Sequence, residues 1–189
     1  MNKYTSLIVV AAFATSCSSS LAPLRKDGLK PTVVTETVLH DTDDPAIWIH
    51  PTNPQESLVI GTDKDTDGGL YVFNLQGKII KKSETIKRPN NVDIAYGLQI
   101  DGVLTDIAVT TERETNKIRI FSLPDLKPLD NGGIPVFEGE LERDPMGIAI
   151  YTRPSDKAVF AIVGRKSGPS GSYLWQYELK GTSNAKVEA

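Results

Sequence analysis

Cysteine occurs once, at Cys17, and histidine only at His40 and His50. A lone thiol closes no internal disulfide, so burial and hydrogen bonding must hold the fold. The same scarcity excludes the Cys/His ligand sets that structural zinc requires. A dominant charge is also missing. The net charge is −3, which gives no basic field to draw nucleic acid. Past the leader region no apolar stretch is long enough for a membrane-spanning helix. What remains, 39% hydrophobic and 24% charged residues, is the composition of a globular domain.

The amino terminus stands apart. "MNKYTSLIVVAAFATSCSSS" carries one cation, Lys3, then the apolar run Leu7 to Ala14, then small residues. That is the layout of an export signal. "ATSC" followed by serines resembles a bacterial lipobox, with Ala14 where such boxes usually carry leucine. The expectation is a leader over 1–16, lipidation at Cys17 and a tether over 17–33. The protein would then be an exported cell-envelope lipoprotein, touching the membrane only through its lipid. Plain secretion after ordinary cleavage is the alternative.

From residue 34 onward helical periodicity is scarce. Apolar residues alternate or run together, β-branched residues are frequent, and Gly, Pro, Asn and Asp punctuate the runs. Three segments look alike: "LVIGTDKDTDGGLYVFNLQG" from Leu58, "TDIAVTTERETNKIRIFSLPDL" from Thr105 and "AVFAIVGRKSGPSGSYLWQYEL" from Ala158. Each holds an apolar strand, a polar loop with a cation and an aromatic-rich strand. Lys64 and Arg113 are 49 positions apart, and Arg113 and Lys166 are 53. A short strand opened by an acid precedes each segment: "DDPAIW" with Asp44, "NNVDIAY" with Asp93 and "DPMGIAI" with Asp144. Those acids are 49 and 51 positions apart and are read as equivalent. Repeats of this length predict an all-β propeller of about three blades. Equivalent positions in successive blades lie on one ring, so the acids and cations should converge on one mouth. Three blades do not close a propeller. The chain is therefore expected to be an incomplete propeller, the N-terminal part of a longer protein or one that assembles with another chain.

"DTDDPAIWIHP" crowds Asp41, Asp43 and Asp44 against a strand that reads as buried. Like charges so close repel and resist burial unless water or a cation offsets them. A carboxylate cluster without cysteine suits a hard, oxygen-loving cation such as Ca²⁺. "DKDTDG", Asp63 to Gly68, matches the opening of an EF-hand loop. Its twelfth position is Asn74 and strands flank it, so it reads as a polar hairpin turn. His40 and His50 read as surface or turn residues, and Asp93 as a structural acid bonding backbone at a blade turn.

With "DDPAIW", "NNVDIAYG" and "DPMGIAIY…AIVGRKSGPSGSYLWQYEL" the chain resembles the β-propeller phytases over about Thr35 to Leu179, roughly the first half of that domain. The resemblance implies a six-bladed fold, monomeric when complete. It also implies calcium-dependent hydrolysis of phytate, inositol hexakisphosphate, as in a 3-phytase. It places Asp43, Asp44 and the Pro45 carbonyl at a calcium-lined mouth, with Asn90, the Val92 carbonyl and Glu36. It gives Lys64, Arg113 and Lys166 to the substrate phosphates, with Arg165 sharing the contact. Reaction would be in-line attack by water, without a covalent enzyme intermediate. This sequence departs from its relatives at Ala95, Met146 and Ser167. The competing reading is a non-catalytic lipoprotein propeller that binds phosphorylated ligands or a protein.

Overall fold

Twelve strands, each antiparallel to its neighbours, build three sheets, each in the order of the chain. A computed structural model describes Arg25 and residues 27–189; the expected leader, Cys17 and most of the tether lie outside the described residues. The sheets lie in the unit Val33–Ala189. The first blade is β1 (Thr42–Trp48), β2 (Leu58–Asp63), β3 (Gly69–Asn74) and β4 (Ile79–Lys82). The second is β5 (Pro89–Ile100), β6 (Val103–Glu112), β7 (Lys117–Ser122) and β8 (Ile134–Pro135). The third is β9 (Pro145–Thr152), β10 (Val159–Arg165), β11 (Leu174–Gly181) and β12 (Val187–Glu188). The chain is an all-β, incomplete propeller of three blades. Its strands follow the three similar segments and the short strand before each. The outermost strands were not foreseen, because two of the three are only two residues long.

The core lies between blades, which explains the continuous apolar runs. In β6, Ile107 and Val109 face the third blade while Ala108 faces the first. In β7, Ile118 and Ile120 face the third blade and Phe121 the first. Alternate side chains point to opposite faces of a strand, so a sheet covered on both faces needs apolar residues at every position. Trp48, Ile60, Leu70 and Val72 of the first blade close on Phe121 and Val92. Val159, Ala161, Val163 and Leu179 of the third close on Ile118, Ile120 and Phe137. The inner strands β1, β5 and β9 lie side by side. Polar bonds tie the blades: the Trp48 indole of β1 donates to Asp106 of β6 (2.8 Å), and the Ile150 N–H of β9 donates to Asp93 Oδ2 of β5 (2.7 Å). Asp93 is thus structural, as expected, but it links two blades and not a turn.

β5 and β6 continue past the body of the sheet to a tight turn at Asp101–Gly102, with φ of 49° and 79°. Positive φ at both central residues is the two-residue hairpin turn whose twist matches the flanking strands. A broad cavity of about 1650 Å³ opens at this end, lined by Leu98, Leu104, Leu123, Ile150 and Leu179. None of the three cations lines it.

Candidate functional site

The three cations occupy one structural position. Each follows the last residue of its blade's second strand: Lys64 after Asp63, Arg113 after Glu112, Lys166 after Arg165. Each donates its main-chain N–H to the carbonyl that leads into the inner strand: Lys64 to Asp41 (2.8 Å), Arg113 to Arg88 (3.2 Å) and Lys166 to Asp144 (2.8 Å). Asp41, Arg88 and Asp144 are therefore equivalent.

Every inner strand then carries a bulge at the same place. Thr42 pairs with Asp63 and Pro45 with Gly61; Pro89 pairs with Glu112 and Val92 with Thr110; Pro145 pairs with Arg165 and Gly147 with Gly164. Each inner strand spends one residue more than its partner, which bends the strand and re-aims side chains. This register corrects the phase assigned to the acids. Asp44, Asp93 and Asp144 are not equivalent, since Asp93 lies beyond its bulge, opposite Val109, and Asp144 lies before β9. Asp43, Asn90 and Met146 are the equivalent trio.

Asp43 and Asn90 are the centre of a polar run across two blades. Lys64 Nζ donates to Asp43 Oδ1 (2.7 Å) and lies 3.5 Å from Asp41. Asn90 Nδ2 donates to Asp43 Oδ2 (3.0 Å), and Arg113 approaches Asn90 Oδ1 at 3.4 Å. The hydrogen bond to Asp43 holds the Lys64 ammonium above the usual lysine value, against the opposing cost of burial. Asp44 Oδ2 accepts the Val92 N–H (2.9 Å), drawing the "NNVD" bulge against the "DDPA" bulge. The structure thus brings together Asp43, Asp44, Asn90, the Val92 main chain, Lys64 and Arg113. The Lys166 side chain is exposed and bonds to none of the described residues; its carbonyl accepts the Tyr173 hydroxyl (2.9 Å).

Two expected site residues lie elsewhere. Glu36 accepts Lys78 Nζ and the Ile79 N–H, both at 2.8 Å, beside the β3–β4 turn. That turn is at the far end of β3 from Gly69, roughly 17 Å from the bulge at about 3.3 Å per residue. The Lys78 ammonium, and after it the Ile79 N–H, lower its carboxyl pKa. Glu36 is held there because residues 33–35 dock on Gly77. Arg165 turns inward: its side chain is fully buried, bonded to Glu140 Oε2 (2.7 Å), the Glu142 carbonyl (3.1 Å) and Ser172 Oγ, and lies over the Phe137 ring. It is occupied by the fold and presents nothing to a phosphate.

The "DKDTDG" loop is a hairpin turn between β2 and β3, and His40 belongs to it: its Nε2 lies 2.9 Å from Asp67 Oδ1. His40, Asp65 and Asp67 bring ligand atoms within 4.8 Å of one another. His50 is a turn residue whose Nδ1 accepts the Asn53 N–H (3.0 Å).

Sequence reasoning missed a pair of threonines. Thr62 Oγ1 accepts the N–H of Asp44 in its own bulge (3.0 Å) and donates to the Asn90 carbonyl in the next (3.1 Å). Thr111 Oγ1 accepts the Asn91 N–H (3.3 Å) and donates to the Met146 carbonyl (3.1 Å). The two clamps are the same bond set, 49 positions apart. A threonine two places before each of two in-phase cations was the available signal.

The chain matches the family model described as Phytase over residues 3–189. It is similar to the 3-phytase of Bacillus subtilis (strain 168), with 32% identity over 137 residues, covering 69% of this chain and 35% of that protein. The chain thus spans about a third of the length of that curated relative. With the family match running across all three blades, and Asp43, Asp44, Asn90, Lys64 and Arg113 brought together where two blades adjoin, the chain belongs to the phytase family.

Proposed function

We propose that this chain carries part of a phytase site of the 3-phytase type, which binds phytate and releases phosphate from it by calcium-dependent phosphomonoester hydrolysis. The observation that supports this best is the run Lys64–Asp43–Asn90–Arg113 over two adjoining bulges, with Lys166 at the same position of the third blade. Lys64 and Lys166 act as point charges toward phosphate oxygens, and Arg113 offers a guanidinium fork suited to two oxygens at once. Phytate carries several phosphates, so cations spaced along one rim can engage more than one of them.

The donor set fits calcium. Asp43, Asp44 and Asn90 each offer oxygen as the ligand atom, and Asp44 Oδ1 takes no hydrogen bond from the described residues. Asp43, Asp44 and Asn90 would hold the ion, with the carbonyls of Pro45 and Val92. When bound, calcium supplies charge compensation for phosphate oxygens and Lewis-acid polarisation of the phosphorus centre. This chain's residues bind and orient: Asn90 fixes the Asp43 carboxylate, and the Thr62 clamp fixes Asn90.

The test is titration of phytate into the full chain with calcium and with chelator, alongside an assay for released phosphate. Calcium-dependent binding with release supports the proposal. Binding without release supports the non-catalytic propeller. Absence of binding under both conditions refutes the site. Lys64→Met, Arg113→Met and Lys166→Met should each weaken phytate binding by about 10-fold or more, the value of one charge-assisted hydrogen bond. Export and lipidation at Cys17 are proposed from the leader sequence; loss of lipid labelling in Cys17→Ser tests them.

A further inference from the structure

We propose that the buried residue just before each cation, Asp63, Glu112 and, with its charge inverted, Arg165, is a positioning residue that fixes the cation's main chain to the lead-in of the inner strand. The proposal rests on the phosphate-binding role of Lys64, Arg113 and Lys166 proposed above.

The three residues are equivalent by register, and all are buried, at 0%, 4% and 3% exposure. In the first blade Asp63 Oδ1 accepts two consecutive main-chain N–H groups, His40 (3.1 Å) and Asp41 (2.9 Å). The next residue, Lys64, returns its own N–H to the Asp41 carbonyl. In the second blade Glu112 Oε1 accepts the Lys87 N–H (2.8 Å) and Oε2 accepts the Thr115 hydroxyl (2.8 Å). Arg113 then returns its N–H to the Arg88 carbonyl. In the third blade the polarity reverses. Arg165 donates to the Glu140 carboxylate and the Glu142 carbonyl, and Lys166 returns its N–H to Asp144. In every blade the buried side chain and the cation's amide seize the same lead-in segment from both sides.

Such a choice is costly. Burying an ionised group without full compensation is unfavourable, and both Asp63 Oδ2 and Arg165 Nε are buried without a hydrogen-bond partner. A fold that needed only apolar packing would place a hydrophobic residue there. A carboxylate can instead take two N–H groups of one loop, which pins that loop and the following cation to a single geometry. Phosphate contacts of about 2.7–2.9 Å demand that precision.

The test compares Asp63→Ala with Asp63→Asn, and Glu112→Ala with Glu112→Gln, in the full chain. The probe is phytate, titrated below the melting transition of every variant, and amide hydrogen exchange is read in parallel. Val72→Ala, a core truncation outside the site, is the control: it should melt earlier with unchanged affinity. The alanine variants should lose about tenfold in affinity and lose protection at the Lys64 or Arg113 amide. The amide variants keep an acceptor oxygen, so they should stay within roughly threefold of wild type with that protection intact. Folded alanine variants that bind and exchange like wild type would overturn the proposal. So would folded Asn and Gln variants that lose tenfold or more in affinity against wild type, a comparison that stands even if the alanine variants do not fold. If wild type binds no phytate, the phosphate reading fails, and the exchange data alone then decide whether these side chains fix the cations' main chain.

Discussion

Replacing Thr62 with valine keeps the shape of the side chain and deletes its hydroxyl. That hydroxyl is fully enclosed and serves two main-chain groups in different blades: the Asp44 N–H and the Asn90 carbonyl. Asn90 is 2% exposed, so water cannot replace the lost donor at its carbonyl. An orphaned buried polar group costs about 1–3 kcal/mol. With a smaller share for the half-buried Asp44 N–H, the loss sums to roughly 2–4 kcal/mol. For a unit of this size each kcal/mol moves Tm by about 2–4 °C, so Thr62→Val should melt roughly 5–15 °C earlier by circular dichroism. Thr62→Ser, which keeps the hydroxyl, should recover most of the loss. Thr111→Val breaks the same bond set at the next junction and should fall in the same range. Phytate affinity should weaken as well in Thr62→Val, because Asn90 is then free to drift from Asp43. A Thr62→Val chain melting within about 2 °C of wild type would refute the clamp as a load on the blade junction.

Phe121 is wholly buried between the first two blades, and Phe121→Ala should cost about 3–5 kcal/mol in chemical denaturation. Gly77 sits at φ 77°, where a Cβ would meet the Val34 carbonyl at 2.8 Å. Gly77→Ala should therefore lose at least ~1–2 kcal/mol and expose residues 33–36 to proteolysis. The Asp156 carboxyl is held down to about 2 by its hydrogen bond from Arg153. A depressed carboxylate pKa stabilises the fold above the ordinary aspartate value of 3.8, and that contribution fades as pH falls from there toward 2. An NMR titration should put the Asp156 midpoint near 2 in the native chain and return it toward the ordinary carboxylate range in Arg153→Gln.

Much of this architecture can be read from the sequence. The inner, second and third strands of each blade are strong apolar runs, and the cations keep phase because each sits directly after one of them. The acids do not keep phase, because the stretch from inner to second strand differs in length between blades: Thr42 to Asp63 spans 21 positions, Pro89 to Glu112 spans 23 and Pro145 to Arg165 spans 20; a count along the chain then aligns Asp93 with Asp44 when Asn91 is the true counterpart. Glu36 reads as an acid near "DTDDP", yet the chain between them runs the length of the blade beneath Val38, which packs on Tyr71 and Phe73. Arg165 and Lys166 read alike as loop cations, and only the strand's alternation, which turns Arg165 toward Phe137, separates them. The "IDGV" turn signal at Asp101–Gly102 was in the sequence, and it marks the hairpin that makes the second blade the longest.

The threonine clamps and the buried carboxylates share one property: apart from the Thr115 hydroxyl on Glu112, what they grip at the rim is main chain, the Asp44 and Asn91 amides, the Asn90 and Met146 carbonyls, and the His40, Asp41 and Lys87 amides. These grips therefore take no stake in which side chains project from that frame. Two aspartates, two asparagines, and a methionine with a glycine occupy the same socket in successive blades. Substitution at the rim leaves these main-chain grips in place, and of these side chains only Asp43, Asp44 and Asn90 add bonds of their own across a blade junction.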